Sequence, residues 1–389
     1  MGDPAANGGT ATPDTVVIGA GVNGLSIAWR LAQGGCRVRV FDAGPVGGGA
    51  SWASAGMLAA AAEAEPGEEK LTALGRASQG LWPRFAAELH AAGGIDPEYR
   101  ESGLLVAAMT RGERDRLAWT HRYQRDQGLP VAWLSPGEVS RREPRLRSGV
   151  MAGLRSPEDH RVNNRALTRA LEGAARNAGV AIHPHAPVEA VVTDERAARG
   201  VRVAGEWVPA DAVVLAAGAW SRTVAGLPEA AQPPVRPVKG QMLSLRMDPD
   251  APLLRHVVWA PTVYLVPRDD GTLVIGGTVE ENGFDTTVTA GGLYALLQAA
   301  WRAMPAIEEL PVSETWVGFR PTSRDDAPIL GPSGVDGLWL ATGHHRNGIL
   351  LAPLTADAVS AAVLGREAPV DGLAAFGLAR FRASATEAG

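Results

Sequence analysis

The chain has 389 residues, 46% of them apolar and 20% charged, with a formal net charge of −5 at pH 7. That length suits more than one hydrophobic core, and an acidic balance with no basic stripe excludes a phosphate-backbone partner such as nucleic acid. One cysteine, Cys36, excludes an internal disulfide framework, a thiolate zinc site and an iron–sulfur cluster.

Residues 1–13 are mostly Gly, Ala, Pro and Thr, with neither the basic nor the apolar stretch of a signal peptide, and are expected to form a floppy tail. No apolar run is long enough to span a bilayer, so the expectation is a cytoplasmic protein. Residues 14–42 read strand, glycine turn, helix, strand. TVVIGA is short, apolar and β-branched; residues 22–33 place Leu25, Ala28, Trp29 and Ala32 on one helical face; CRVRVFD then alternates.

From Glu63 to about Leu146 the pattern is helical and polar, interrupted by the strand-like SGLLVAAM. A second helix–strand unit follows, from NNRALTRALEGAARNAG through hairpin-like strands to the apolar run AVVLAAGAW. Strands dominate from Pro233 to Pro321, and the end returns to the strand GLWLATG and a helix from about Gly348 to Leu364. The segments at 14–42, 180–216 and 338–343 therefore form one nucleotide-binding sheet, and the stretches between them a second domain. The expected fold is α/β. A Rossmann-like domain of the glutathione-reductase type (14–85, 150–225 and 323–375) carries a discontinuous substrate domain (86–149 and 226–322) on a mostly antiparallel sheet.

Gly19, Gly21 and Gly24 fit G-x-G-x-x-G directly after a strand and opening a helix. Gly19 permits the tight turn, Gly21 the approach of a pyrophosphate, and Gly24 the packing of helix on strand. Asp42 closes the second strand, placed to accept from ribose hydroxyls. These features leave NAD and FAD both open. Residues 47–57 then run eleven positions without a charge, mostly small, as a backbone lying along a flat ligand requires. That favours FAD.

With these motifs, and with RPVKGQ, VYLVPRDDGTLVIGGT, WVGFRP and GHHRNGILLAP, the chain resembles the D-amino-acid oxidase superfamily from residue 14 to about 364. Within it, the chain is similar to the glycine oxidases of thiamine biosynthesis. The resemblance implies that Val22, Asn23, Asp42 and Ala43 hold the ADP half of FAD. It places Ala50, Ser51, Ala55, Gly56 and Met57 along the diphosphate-to-flavin stretch, Val188 and Gly218 beside the cofactor, and His344, His345, Arg346, Asn347, Gly348, Ile349 and Leu350 around the ring. Arg320 is implied as the clamp on a substrate carboxylate, with Arg346, Tyr264 and Met57 beside it; a guanidinium fork matches a carboxylate bidentately. Asp42 replaces the more usual Glu, and Thr262 and Val279 stand where relatives carry a histidine and a methionine.

Adjacent His344 and His345 diverge and lack a third ligand, so no metal is expected. A helix opening at Gly348 is expected to turn its positive end toward the reduced ring. No side-chain acid or base is called for if the amine enters neutral and gives its α-hydride to flavin N5. The products are then an imine or oxo-acid, ammonia and, with O2, hydrogen peroxide. Cys36 lies far from the C-terminal flavin motif, which predicts non-covalent FAD. The alternatives are a dehydrogenase serving a quinone or partner subunit, a sarcosine-type N-demethylating oxidase, and a flavin-binding module without catalysis. The family suggests a homotetramer.

Overall fold

The computed structural model describes residues 12–194 and 196–383, so most of the expected tail lies outside the described residues. Within it, Thr12 Oγ1 already donates to the Gly35 carbonyl at 2.9 Å. The first strand, Thr15–Ile18, is buried at all four positions, as a strand covered on both faces must be. It pairs in parallel with Val38–Phe41 on one side and Ala212–Leu215 on the other. Ala181–His183 and Leu338–Thr342 extend the parallel sheet at its two ends. A sixth strand, Ile329–Pro332, adds antiparallel at the edge, where no strand is legible in the sequence.

Helices cover one face of this sheet. Val22–Gln33 packs against Ala352–Val363 and Asn164–Asn177, and the long helix Glu69–Gly93 backs onto both of the latter. Leu25, Ile27, Trp29 and Leu31 are almost wholly buried in that layer, each worth roughly 1.5–3 kcal/mol of transfer free energy. A three-stranded antiparallel meander, Val188–Thr193, Ala198–Val203 and Glu206–Pro209, covers the opposite face through Val191, Ala198 and Val201. The three separated strand segments thus meet in one sheet.

The second sheet has eight strands, in the order Val312–Thr322, Arg236–Arg246, Thr272–Gly276, Val263–Pro267, Val257–Ala260, Leu104–Ala108, Ala152–Ser156 and Ala132–Leu134. All neighbours are antiparallel except Val257–Ala260 beside Leu104–Ala108. Helix Ala290–Ala303 packs on one face, burying Leu296, Ala300 and Ala303. The other face turns Met242, Val274 and Tyr264 toward Ala53, Ala55 and Met57 of the first half. One sequence expectation is corrected here. Ala152–Ser156, grouped with the nucleotide-binding segment 150–225, pairs instead with Leu104–Ala108.

Candidate active site

A cavity of about 840 Å3 lies between the two sheets, toward the upper end of the ~300–1,000 Å3 typical of ligand sites. Every site residue singled out from the sequence lines it except Gly24. Gly24 serves from beneath: a Cβ there would lie 1.9 Å from the Gly19 carbonyl oxygen, so the helix backbone rests directly on the turn. Gly19 has φ +107°, and a Cβ on it would meet the Ala216 carbonyl at 2.4 Å. Only glycine fits either position.

The helix N-terminus is set by a long-range contact, with the Val22 amide donating to Ser51 Oγ at 2.9 Å. Asp42 accepts from the Ala20 amide at 2.7 Å and the Gly44 amide at 2.8 Å. A carboxylate has about four acceptor sites, so it can still receive a ribose hydroxyl. Asn23 Oδ1 is buried and unpartnered, while its Nδ2 donates to the Gly348 carbonyl at 3.4 Å. A turn that no Cβ fits, free helix amides, an unpartnered amide oxygen and a strand-end carboxylate suit the ADP half of FAD.

The small-residue loop is gripped from several sides. Asn164 Nδ2 donates to the Ser51 and Trp52 carbonyls, both at 2.8 Å. Arg268 Nη2 donates to the Ala55 carbonyl at 2.6 Å and to Asn164 Oδ1 at 2.7 Å, while its Nη1 donates to the Val162 carbonyl. Trp316 Nε1 donates to the Ala53 carbonyl at 2.9 Å. Gly56, at φ +79°, lies so close to the Val162 carbonyl that a Cβ would be 2.2 Å from its oxygen. Sequence reasoning found the loop and missed its clamps, because Asn164, Arg268 and Trp316 reach it from distant strands and helices.

Three consecutive residues of the C-terminal segment, His344, His345 and Arg346, line the cavity and are held by neighbouring side chains. His344 Nε2 meets Thr355 Oγ1 at 3.1 Å, and His345 Nδ1 meets Thr322 Oγ1 at 2.9 Å. Burial pushes both imidazoles down to about 4, so they are neutral near pH 7. Arg346 lines the cavity with Nε on Glu63 and Nη2 on Glu68, each at 2.6 Å. The helix begins at Ala352, not Gly348; Pro353 sits in its first turn, where a missing N–H does no harm. Residues 348–351 form a turn whose Leu350 carbonyl accepts from Ser78 Oγ at 2.7 Å and Trp82 Nε1 at 2.9 Å. The positive helix end expected at Gly348 is therefore displaced along the chain.

Arg320 and Tyr264 converge in the same cavity. Arg320 stands on Val312–Thr322 opposite Val238, and its Nη1 donates to the Thr278 carbonyl at 3.0 Å. A Cβ at Gly240 would lie 2.6 Å from that Nη1, and one at Gly277 would lie 3.2 Å from Nη2. The Tyr264 hydroxyl donates to Met242 Sδ at 3.3 Å, and a Cβ at Gly276 would lie 2.6 Å from it. Burial pushes the phenol up, with the Arg320 charge pulling against it. Three glycines thus clear the space that the guanidinium and phenol share. The signal for two of them, Gly276 and Gly277, was a glycine pair ending a strand, where β-propensity disfavours it. Thr262 and Val279 are both exposed at the rim, and Glu63 lines the cavity between the Arg346 side and Tyr264.

Residues 14–362 match the family model described as FAD dependent oxidoreductase. The chain is 38% identical over 370 residues to the glycine oxidase of Geobacillus kaustophilus, spanning 94% of this chain and 97% of that one. It is equally 38% identical over 356 residues to the bifunctional protein ThiO/ThiG of Trichormus variabilis, spanning 90% of this chain and 52% of that one. The chain therefore spans about half the length of such bifunctional relatives. The crystal structure of the Geobacillus kaustophilus glycine oxidase superposes with a TM-score of 0.88 at 36% identity, covering 95% of this chain and 99% of that one. Among the described residues, no helix is long and apolar enough to cross a membrane.

Proposed function

The chain belongs to the family of FAD-dependent oxidoreductases, and on that premise we propose that it oxidises the carbon–nitrogen bond of glycine or a similarly small amino acid. Sarcosine and small D-amino acids fall within the same class. The observation that carries this reading is the meeting of Arg320 and Tyr264 in a space kept open by Gly240, Gly276 and Gly277. A fork of N–H donors in an otherwise small-residue gap suits a carboxylate on a short chain.

FAD held by Asp42, Asn23 and the 47–57 loop would supply the acceptor for the α-hydride and a route for its electrons to oxygen. The protein's own residues bind and orient. Arg320 fixes the carboxylate; Nη1 is held by the Thr278 carbonyl, so the fork has one orientation to offer. Tyr264 closes the apolar wall beside it. His344 and His345 are neutral and bonded to threonines, and Glu63 is bonded through Oε2 to Arg346, so none of them is assigned the role of base. On this reading the amine enters deprotonated, and its product is an imine that hydrolyses to an oxo-acid and ammonia. The likeness to a bifunctional ThiO/ThiG protein supports a role in supplying thiazole synthesis.

Cys36 is buried in the helical layer and is not part of the cavity lining, which supports non-covalent FAD. Acid precipitation should leave the yellow colour in the supernatant. For the substrate anchor, peroxide formation in air should show KM for glycine rising about 10- to 100-fold in Arg320→Ala, from the ~1.5–3 kcal/mol of a hydrogen bond to a charged group. FAD affinity should change little. An unchanged KM would remove Arg320 from the anchor role.

A further inference from the structure

Lysine occurs twice in the chain, and Lys239 has a side chain with no exposure at all. A buried ammonium is tolerated only when paired. Its Nζ lies 2.6 Å from Asp285 Oδ2 and 3.5 Å from Glu280 Oε2. Its hydrogen bond holds the Asp285 carboxyl well below the usual carboxylate range. Lys239 sits on strand Arg236–Arg246, where side chains alternate between faces. Gly240 and Met242 face the cavity, so Lys239 and Gln241 point away from it.

Residues 278–289 cross that outer face as a strap without helix and with only a single bridge to the sheet. Lys239 and Glu280 exchange backbone hydrogen bonds of 2.9 and 3.0 Å. Gln241 holds the strap again, donating to Glu280 at 2.8 Å and accepting from the Thr289 amide at 2.8 Å. The Gln241 amide donates to Thr278 Oγ1 at 2.8 Å. Beyond Glu280 the strap carries Phe284 onto Trp220, rings stacked at 5.0 Å. At its start it delivers two groups to the substrate end, Val279 at the rim and the Thr278 carbonyl under Arg320 Nη1.

We propose that Lys239 is the positioning residue of the substrate anchor: by pinning the strap to the back of its strand, it fixes the carbonyl on which the Arg320 guanidinium rests. The inference depends on the reading of Arg320 as the carboxylate clamp. Lys239 touches neither substrate nor cofactor. Its effect is expected in affinity for the carboxylate and not in the chemical step, because a guanidinium freed from Thr278 samples orientations that miss the fork geometry. A lysine needed only for folding would not separate these quantities.

The test compares Lys239→Met, Asp285→Asn and Arg320→Ala holoenzymes in air. KM for glycine and the competitive inhibition constant of acetate should rise at least tenfold in Lys239→Met and several-fold in Asp285→Asn. The turnover at saturation and the FAD dissociation constant should stay within threefold. If Lys239→Met yields no holoenzyme, Asp285→Asn decides, since its partly exposed side chain keeps its shape in the change. A raised KM in Arg320→Ala with KM and acetate binding unmoved in the other two overturns the role of Lys239. An unmoved KM in Arg320→Ala overturns the clamp reading itself.

Discussion

Glu63 stands in the cavity wall with its carboxyl pushed by burial to about 7 from an ordinary 4.5, against the pull of Arg346. Between those values the native state keeps a proton that the unfolded chain has released. The stability this contributes is complete below 4.5 and is lost as pH rises through 7. His344 and His345 act in the opposite sense: held neutral down to about 4, they withdraw stability as pH falls below 6.5. A comparison with Glu63→Gln isolates the first effect. The melting temperature of the unaltered protein minus that of Glu63→Gln should be larger at pH 5 than at pH 8, read by thermal denaturation at both. A difference that grows with pH would refute the raised value. Arg320 was legible in the sequence because WVGFRP carries its context locally. The ion pairs of Arg346 were not legible, because nothing local reveals that Glu63 and Glu68, far back in the chain, hold its guanidinium.

The long helix Glu69–Gly93 contains glycines of opposite character. A Cβ at exposed Gly80 would meet nothing within 4 Å, whereas one at buried Gly75 would lie 3.3 Å from Leu350 and 3.4 Å from Ala60. Gly80→Ala should therefore stabilise the protein by about 0.5–1 kcal/mol through helix propensity alone. Gly75→Ala should lose that gain, because it presses on the Leu350 turn that the same helix holds through Ser78 and Trp82. Denaturant midpoints measured at equal slope would show the pair diverging; equal gains in both would show that the Leu350 turn yields freely. Periodicity made this helix legible. It failed where tertiary pairing decides, as in Ile329–Pro332, whose ILGP sequence has no strand character of its own. The start at Ala352 had a local signal in Pro353, whose preference for the first turn outranks the apolar run before it.

At the scale of the whole molecule, the nucleotide motif was readable because a glycine turn, a helix start and an acid at a strand end are fixed within one short segment. The closure of the second sheet over that segment was not, since it depends on residues brought together across the fold. Arg268 is the clearest case. It follows strand Val263–Pro267 of the eight-stranded sheet, yet binds the carbonyls of Ala55 and Val162 and the Asn164 side chain in the other half. Burial pulls its guanidinium down to about 10, which still leaves it charged at neutral pH. Its hydrogen-bonded partners are all neutral oxygens. Removing it orphans three buried acceptors at once, each at roughly 1–3 kcal/mol, and frees the loop that the small residues 47–57 form beside the cofactor. Arg268→Met should therefore weaken FAD binding at least tenfold and lower the melting temperature, with added FAD restoring part of that loss through mass action. Trp316→Phe removes the bond to the Ala53 carbonyl and trims the ring that packs on Trp52, and should weaken FAD by a few-fold. Fluorescence of flavin released on dilution measures both. An Arg268→Met protein that melts lower yet retains FAD as tightly would show that Arg268 joins the two halves without shaping the cofactor loop.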